Sequence, residues 1–513
     1  MRILGRILLI VTCLSTLSTA ATPPIKPDEL LAHVKFLASD ELKGRGDGSP
    51  ELEIAAEYIA RQFKAAGLRP GGTSQEWFQP FELQAGLDVG PGNTLVFKSG
   101  ARTTKLTLGD SYYPLSAPAT DTLTQPSSTL DNAPLVFAGY GISASRLDYD
   151  DYAGVDVSGK AVLIFSHEPQ ENDRNSRLNG NQAIPESSLY AKAAAAKNHG
   201  ARVLIVISDP KHQIDQANYK MFAIDPDADD AGIPVLRARR DQLGPFIQGW
   251  ELDRLATEID SDLRPRSRAL PTITIDYHEF LSKKRRTVRN VVGILPGSDP
   301  ARTDETIVIG AHYDHVGVGG RYSAVPERTG EIHNGADDNA SGTASIIEIA
   351  KAAAADPSRF PRTLVFVAFA GEERGLLGSA HYANNPARPI VGTVAMLNLD
   401  MVGRSRGAVD VSGLEVSPSL MRNFTAASST IPALEIRYEG PGAGRSDDSS
   451  FLERRIPAVN FFTGFHRDYH RPTDDWPLID ADGTARVATL ALEFAARIAE
   501  RPDRPEFVTP PRQ

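Results

Sequence analysis

Two adjacent glutamates, Glu372 and Glu373, stand where the apolar run of "FVAFAGEERGLLGSAHY" stops. Other apolar runs end in the same way. "TIVIGAHYDH" delivers His312 and Asp314, and "AMLNLDMVG" delivers Asp400. The loop "NGADDNASG" adds Asp337 and Asp338 ahead of a helical pattern, and "RDYHRPTDDW" adds Tyr469, His470 and Asp474. Imidazoles and carboxylates gathered at strand ends form an N/O donor set that suits zinc. A set of His312, Asp337, Glu373, Asp400 and His470 would, with one hydroxide, balance the charge of two divalent cations. Without cations the same carboxylates would repel one another and be costly to bury. One carboxylate shared by both ions fits the separation of about 3.5–4 Å usual in two-metal sites. The paired glutamates can then divide the work. One binds metal, while its neighbour faces the metal-bound water and takes its proton, a role that needs hydrogen-bond reach and a free carboxylate. Taken singly these signals are weak: a pair of aspartates can cap a helix, and a pair of glutamates is usually a solvated turn. Their order along successive strand ends is what gives them weight. His33, His199, His315, His333, His381 and His466 lack such company and read as structural or exposed.

The elements that must position these groups alternate. "NVVGIL", "TIVIGA", "TLVFVAFA", "VAMLNLD" and "PAVNFF" read as buried strands, and Ala340–Ala355, "SPSLMRNFTAAS" and "GTARVATLALEFAARIAE" as helices between them. Such alternation predicts an α/β fold, a mostly parallel mixed sheet sandwiched by helices, with ligands bound beyond the carboxyl ends of the strands. Near the start, "PDELLAHVKFL" and "SPELEIAAEYIARQFKAAGL" predict two amphipathic helices, the second with Ile54, Tyr58, Ile59 and Phe63 inward. From about residue 125 to 265 a different block appears. Its β-branched runs "APLVFAGYGI", "GKAVLIFS" and "ARVLIVIS" read as a smaller α/β module. "GYGISA" there imitates a dinucleotide fingerprint, but "SRLDYDDY" after it does not read as the helix that a pyrophosphate needs. The basic run Lys283 to Arg286 reads as a solvated turn.

The chain has 513 residues, long enough for two domains, and its formal charge of −10 argues against nucleic acid or an anionic membrane as main partner. The start, "MRILGRILLIVTCLSTLSTA", combines Arg2 and Arg6, a short apolar stretch and small residues, which predicts a secretory signal cut after Ala20. Cleavage would remove Cys13, the only cysteine, so the exported chain would be stable without a disulfide. No other stretch is long and apolar enough to span a bilayer.

The series "GAHYDH", "NGADDNASG", "AGEERGLLGS", "LNLDMVG" and "YHRPTDD" resembles the co-catalytic zinc exopeptidases of metallopeptidase family 28. "LASDELKGRGDGSPE" and "AAEYIARQFKAAGLRP" resemble that family's N-terminal segment, and "PLVFAGYGI", "DYDDYAGVDVSGKAVLIF" and "GARVLIVI" resemble a protease-associated (PA) domain. The resemblance implies a zinc-exopeptidase, phosphorylase/hydrolase-like fold with an inserted PA domain. With the signal read at 1–20 and a Pro-rich, loose tail at 504–513, it divides the chain into a peptidase domain in two parts (21–120 and 269–503) and the insert (121–268). It further implies an exported enzyme, periplasmic or extracellular, that removes N-terminal residues from peptides with two zinc ions per chain. His312 and Asp400 would hold one ion, Glu373 and His470 the other, and Asp337 would bridge them. Glu372 would be the general base, Tyr469 would help stabilise the oxyanion, and Asp314 would orient His312. Asp338 would follow the bridging ligand, where members often have an unusual peptide bond. "GRSDDSSF" departs from the family's frequent Ser-Asp-His, with Asp448 in place of the histidine. The PA block is expected to roof or flank the active site. A carboxypeptidase or dipeptidase on the same scaffold, a one-zinc glutaminyl cyclase and a receptor-like protein are the competing readings.

Overall fold

Pro27 fixes a first-turn φ, and Leu30, Val34 and Leu37 recur at helical spacing, so helix α1 (Pro27–Leu37) forms with those three residues buried. Helix α2 (Pro50–Ala65) starts where the Ser49 hydroxyl accepts the Leu52 N–H at 3.1 Å. Its inward stripe is Leu52, Ala55, Ala56, Ile59 and Phe63. Ile54 falls off that stripe and is 48% exposed, contrary to the expectation that it points inward. The structure is a computed structural model. It describes residues 25–509 apart from 117–122, 124, 172, 181–182, 211–230, 244–245, 247–251, 321, 326–327, 329 and 441–445. The expected signal at 1–20 lies outside the described residues. Among those described, no helix is long and apolar enough to cross a membrane.

The chain divides into two units, one formed by residues up to 80, 289–317 and 333 onward, the other by 81–288 and 318–332. In the first unit, strands β1 (Leu281–Leu295, its later residues), β2 (Thr306–His312), β3 (Thr363–Phe369), β4 (Thr393–Leu399), β5 (Ala408–Ser412), β6 (Glu435–Tyr438) and β7 (Ala458–Phe462) pair in the order β1-β3-β2-β4-β7-β5-β6. Pairing is parallel from β3 through β2 and β4 to β7, while β1 and β5 run antiparallel to their neighbours β3 and β7. The expected mostly parallel mixed sheet is therefore present. Every residue of β2, β3 and β4 is buried, which explains why they read as continuous apolar runs rather than alternating ones. Helices α3 (Gly342–Ala355), α4 (Leu377–Asn384), α5 (Pro418–Ser428) and α6 (Ala481–Glu500) follow, and α1, α3 and α6 pack on one another. The register sets His312 opposite Phe369 and Gly310 opposite Asn398. The carboxyl ends of the central strands thus stop at one level, and the residues just beyond them converge.

Of the tail expected to be loose, residues 504–509 are described. Glu506 accepts the Ser419 N–H at 3.1 Å, and the Val508 N–H donates to the Val416 carbonyl at 2.7 Å. These two bonds, one through the Glu506 side chain and one through the Val508 main chain, tie residues 506–508 down.

The second unit contains a mixed sheet in which Thr94–Ser99, Arg102–Leu106, Tyr112–Ser116 and Arg268–Glu279 join the strands of the middle block. Sequence reading placed those residues in the peptidase part. Strand Arg268–Glu279 pairs with both Thr94–Ser99 and Ser128–Phe137, and this double partnership moves the boundary outward on both sides. The sheet alternates its side chains between two apolar clusters. Phe137, Leu163 and Phe165 face one, with helix Leu252–Asp262; Val136, Val162 and Ile164 face the other, with helix Leu189–Asn198. Lys283 to Arg286 continue as strand, not as the expected turn. In "GYGISA" the Tyr140 and Ile142 amides donate to the Asp151 carboxylate at 3.0 and 3.1 Å, so an internal side chain occupies the donors a phosphate would need.

Candidate metal centre

His312 ends β2 with its ring 1% exposed, and its main-chain carbonyl accepts from the Thr343 hydroxyl at 2.7 Å. Its Nε2 lies 3.2 Å from Asp338 Oδ1 and 3.3 Å from Asp400 Oδ1. Asp338 Oδ2 lies 3.1 Å from His470 Nε2, which is also 3.0 Å from Glu373 Oε2. One carboxylate therefore turns one oxygen toward the His312–Asp400 side and the other toward the Glu373–His470 side. Asp400 Oδ2 is fixed by the Ser446 hydroxyl at 2.7 Å. Glu372 Oε2 stands back, 3.9 Å from His312 Nε2. These groups resolve into two donor clusters, His312–Glu372–Asp400 and His315–Asp338–Glu373–His470.

Asp337, expected as the bridge, is in neither cluster. Its Oδ1 accepts the Gly403 N–H at 2.6 Å and the Ser341 hydroxyl at 3.1 Å, and its Oδ2 pairs with His466 Nε2 at 3.1 Å. The carboxylate that faces both clusters is that of Asp338, whose peptide bond to Asn339 is cis. Asp337 and Asp338 both lie in the helical turn Ala336–Ser341, where Asp338 leaves helical geometry (φ −103°, ψ 97°), and this departure gives the two neighbouring carboxylates different directions. His315 and His466, read as structural or exposed, are both buried or nearly so and paired with acids: His315 Nδ1 is 2.8 Å from Glu373 Oε1. The sequence signal for His315 is its place directly after Asp314 at the same strand end. Asp314 acts differently from the expectation as well. Its carbonyl oxygen, not its carboxylate, is the nearer partner of His312 Nδ1, at 3.2 against 3.8 Å. The carboxylate accepts the Glu372 and Glu373 amides, each at 3.2 Å, and so sets the turn that carries both glutamates.

Two further residues hold the loops. Asp474 Oδ2 accepts the amides of Asp337 and Asp338 at 2.9 and 3.2 Å, and its Oδ1 takes Arg404 at 2.8 Å. Arg45, fully buried, donates to the carbonyls of Leu37, Tyr313, Asn334 and Gly335. Burial pulls its guanidinium down to about 10, against the upward pull of Asp314, Asp338, Asp474 and Glu373. Arg45 lies in "GRG", far from the other motifs, and sequence reading passed over it.

The electrostatics are those of a site built for cations. Burial pushes Glu372 well above the usual carboxylate range, with Glu373 and Asp400 adding to the rise and His312 opposing it. Burial and Asp338 act to raise Glu373, yet His470 and His315 bring it down to about 2. His470 would be lowered by burial, but Glu373 and Asp338 raise it to about 11. The carboxylates thus favour protons on His312 and His470, both of which, against burial, are raised by the acids around them. Imidazole nitrogens and carboxylate oxygens, with one carboxylate facing both ways, fit two divalent ions. The site opens on a cavity of about 450 Å³ lined by Glu372, Met401, Asp448, Phe462, Phe465 and Tyr469. Tyr469 stacks on His470 with ring centroids 3.9 Å apart.

Residues 290–495 match the model described as peptidase family M28. These residues belong to peptidase family M28. Every residue of the two donor clusters lies within them, so the chain is a metallo-exopeptidase, a hydrolase. Aminopeptidase YwaD of Bacillus subtilis (strain 168) is 27% identical over 391 residues, which cover 73% of this chain and 69% of that protein. Leucine aminopeptidase 1 of Trichophyton rubrum is 28% identical over 231 residues, 41% of this chain and 58% of that protein. The chain thus spans little more than half of the fungal relative. Among solved structures, an aminopeptidase from Aneurinibacillus sp. strain AM-1 superposes with a TM-score of 0.57 at 24% identity, covering 96% of this chain and 98% of that one. BSAP, a zinc aminopeptidase from Bacillus subtilis, gives 0.54 at 20% identity, covering 93% and 96%. At these identities the likeness is one of fold.

Proposed function

We propose that the protein is an exported aminopeptidase that works with two zinc ions. The observation that carries this reading is Asp338, whose two oxygens face His312 on one side and His470 on the other, beside Glu372 at the wall of a cavity. His312 and Asp400 would hold one ion, Glu373 and His470 the other. Two ions so held would polarise a peptide carbonyl and acidify the attacking water. Glu372 takes the proton from that water and delivers it to the leaving amine, a task matched to a carboxylate whose affinity for protons is raised by burial. Tyr469, held against His470 and lining the cavity, donates its hydroxyl proton as a hydrogen bond to the developing oxyanion. Phe462, Phe465 and Met401 supply apolar surface for the residue being removed. The names of the relatives favour a free amino terminus as the recognised end. Export rests on the pattern of residues 1–20, and the PA reading of the second unit on its resemblance.

The test is zinc content measured beside hydrolysis of a panel of aminoacyl-arylamides, amino-blocked peptides and carboxyl-blocked peptides, with and without chelator. The proposal expects about two zinc ions per chain, cleavage that needs a free amino terminus, and loss of both on chelation. Cleavage of amino-blocked peptides from the carboxyl end would defeat it, as would a single zinc.

A further inference from the structure

His315 is buried at the same strand end as His312, yet it is not among the four residues assigned to hold an ion. Its Nδ1 lies 2.8 Å from Glu373 Oε1 and 3.8 Å from Asp338 Oδ2. Its ring stands edge-on to that of His470, with centroids 5.4 Å apart. The residue is built in. Its main-chain N–H donates to the Arg45 carbonyl at 3.2 Å, and the ring lies against Gly335, where a Cβ would come within 2.5 Å of it. Gly335 also has a φ of +58°, so a side chain there is disfavoured twice over.

We propose that His315 is a positioning residue for the second metal ion, donating its Nδ1–H to Glu373 Oε1 so that the other carboxylate oxygen is left to face that ion. The inference rests on the two-ion reading of this site. The tautomer follows from the surroundings. His315 Nε2 is buried with no hydrogen-bond partner among the described residues, whereas Nδ1 meets a carboxylate oxygen, so the proton of the neutral ring belongs on Nδ1. Glu373 then has one oxygen engaged by His315 and the other, Oε2, beside His470 Nε2 at 3.0 Å. A carboxylate divided in this way presents a single oxygen in a fixed direction. Asp314 already fixes the Glu373 main chain, so His315 fixes what the main chain cannot, the rotation of the carboxylate. Hydrogen bonds of this kind to a metal-binding group typically change metal affinity by about 10–100-fold.

The test compares wild type, His315→Ala and His315→Asn. An asparagine amide can take the place of Nδ1–H and donate to the same oxygen. Zinc retained per chain is measured against rising chelator concentration, with thermal unfolding to show that each variant is folded. His315→Ala is expected to release one of two ions at about 10–100-fold lower chelator strength while keeping the other. His315→Asn is expected to recover most of the lost affinity. X-ray absorption at the zinc edge should show the same number of imidazole ligands in wild type and in His315→Asn. Equal retention by His315→Ala and wild type would overturn the proposal. So would a histidine count that falls by one in the asparagine variant, because His315 would then be a ligand itself. A wild-type chain that holds fewer than two ions defeats the two-ion reading first, and that result is distinct from either of these.

Discussion

At the scale of single residues, the neighbouring pairs Glu372–Glu373 and Asp337–Asp338 make the sharpest tests. Glu373 is engaged on both oxygens, by His315 and by His470, while Glu372 lines the cavity. Glu372→Gln is expected to keep both zinc ions and lower kcat by about 10²–10⁴-fold, the usual worth of a positioned general base; metal analysis beside steady-state kinetics measures both. Near-normal turnover in that variant would remove Glu372 from the mechanism. The aspartates should separate by type of defect. Asp338→Ala is expected to lose metal and activity. Asp337→Ala is expected to keep metal but to lose about 1–3 kcal/mol of stability, since the buried Gly403 N–H would be left without its acceptor. Denaturant titration and zinc content of the two variants decide the matter, and the reverse pattern would return the bridge to Asp337. Sequence could not make this distinction. It placed a carboxylate pair between strand and helix, but which member faces the cluster depends on backbone direction through the loop.

At the scale of elements, the strands and helices of the M28 domain were readable because their signal is local. β2, β3 and β4 are buried on both faces and so appear as unbroken apolar runs, and α6 carries an apolar stripe along 20 residues. What was not readable depends on partners distant in sequence. Strand Arg268–Glu279 was assigned to the wrong unit because its partners lie at Thr94–Ser99 and Ser128–Phe137. Arg45 was missed for the same reason: one guanidinium joins carbonyls at 37, 313, 334 and 335, and no short motif reports that. Its consequence is testable. Arg45 ties the segment after β2 to the loop that carries Asp338, so Arg45→Met should cost more than about 3 kcal/mol by leaving buried carbonyls unpaired. Arg45→Lys should rescue little of that, because an ammonium cannot reproduce the planar fork. Both variants should also take up less zinc at a given free concentration, read by metal titration of the folded fraction. Full zinc affinity in a destabilised Arg45→Met would show that the loops hold their places without it.

At the scale of the whole molecule, the site links proton binding, metal binding and stability. In the metal-free chain His470 is raised from its ordinary 6.5 to about 11, with burial acting against the rise and Glu373 and Asp338 producing it. A group whose folded pKa lies above its unfolded value contributes stability that is complete below the unfolded pKa and is lost as pH rises through the folded one. The window for His470 therefore runs from about pH 6.5 upward to about 11. Glu373, lowered to about 2, contributes in the opposite sense: its share is complete above about 4.5 and is lost only as pH falls toward 2. Zinc needs neutral imidazoles, so the ions displace the protons they replace, and zinc affinity must rise with pH across the same window. The Tm of chelator-treated protein is accordingly expected to fall between about pH 6.5 and 10, while zinc-loaded protein resists the fall and the gap between them widens. Calorimetry in buffers of different ionisation enthalpy should detect protons released on zinc uptake at pH 7. Replacing His470 with asparagine should flatten the metal-free profile. A metal-free Tm that declines no more steeply than the zinc-loaded one would mean that the imidazoles are not what holds the empty cluster of carboxylates together.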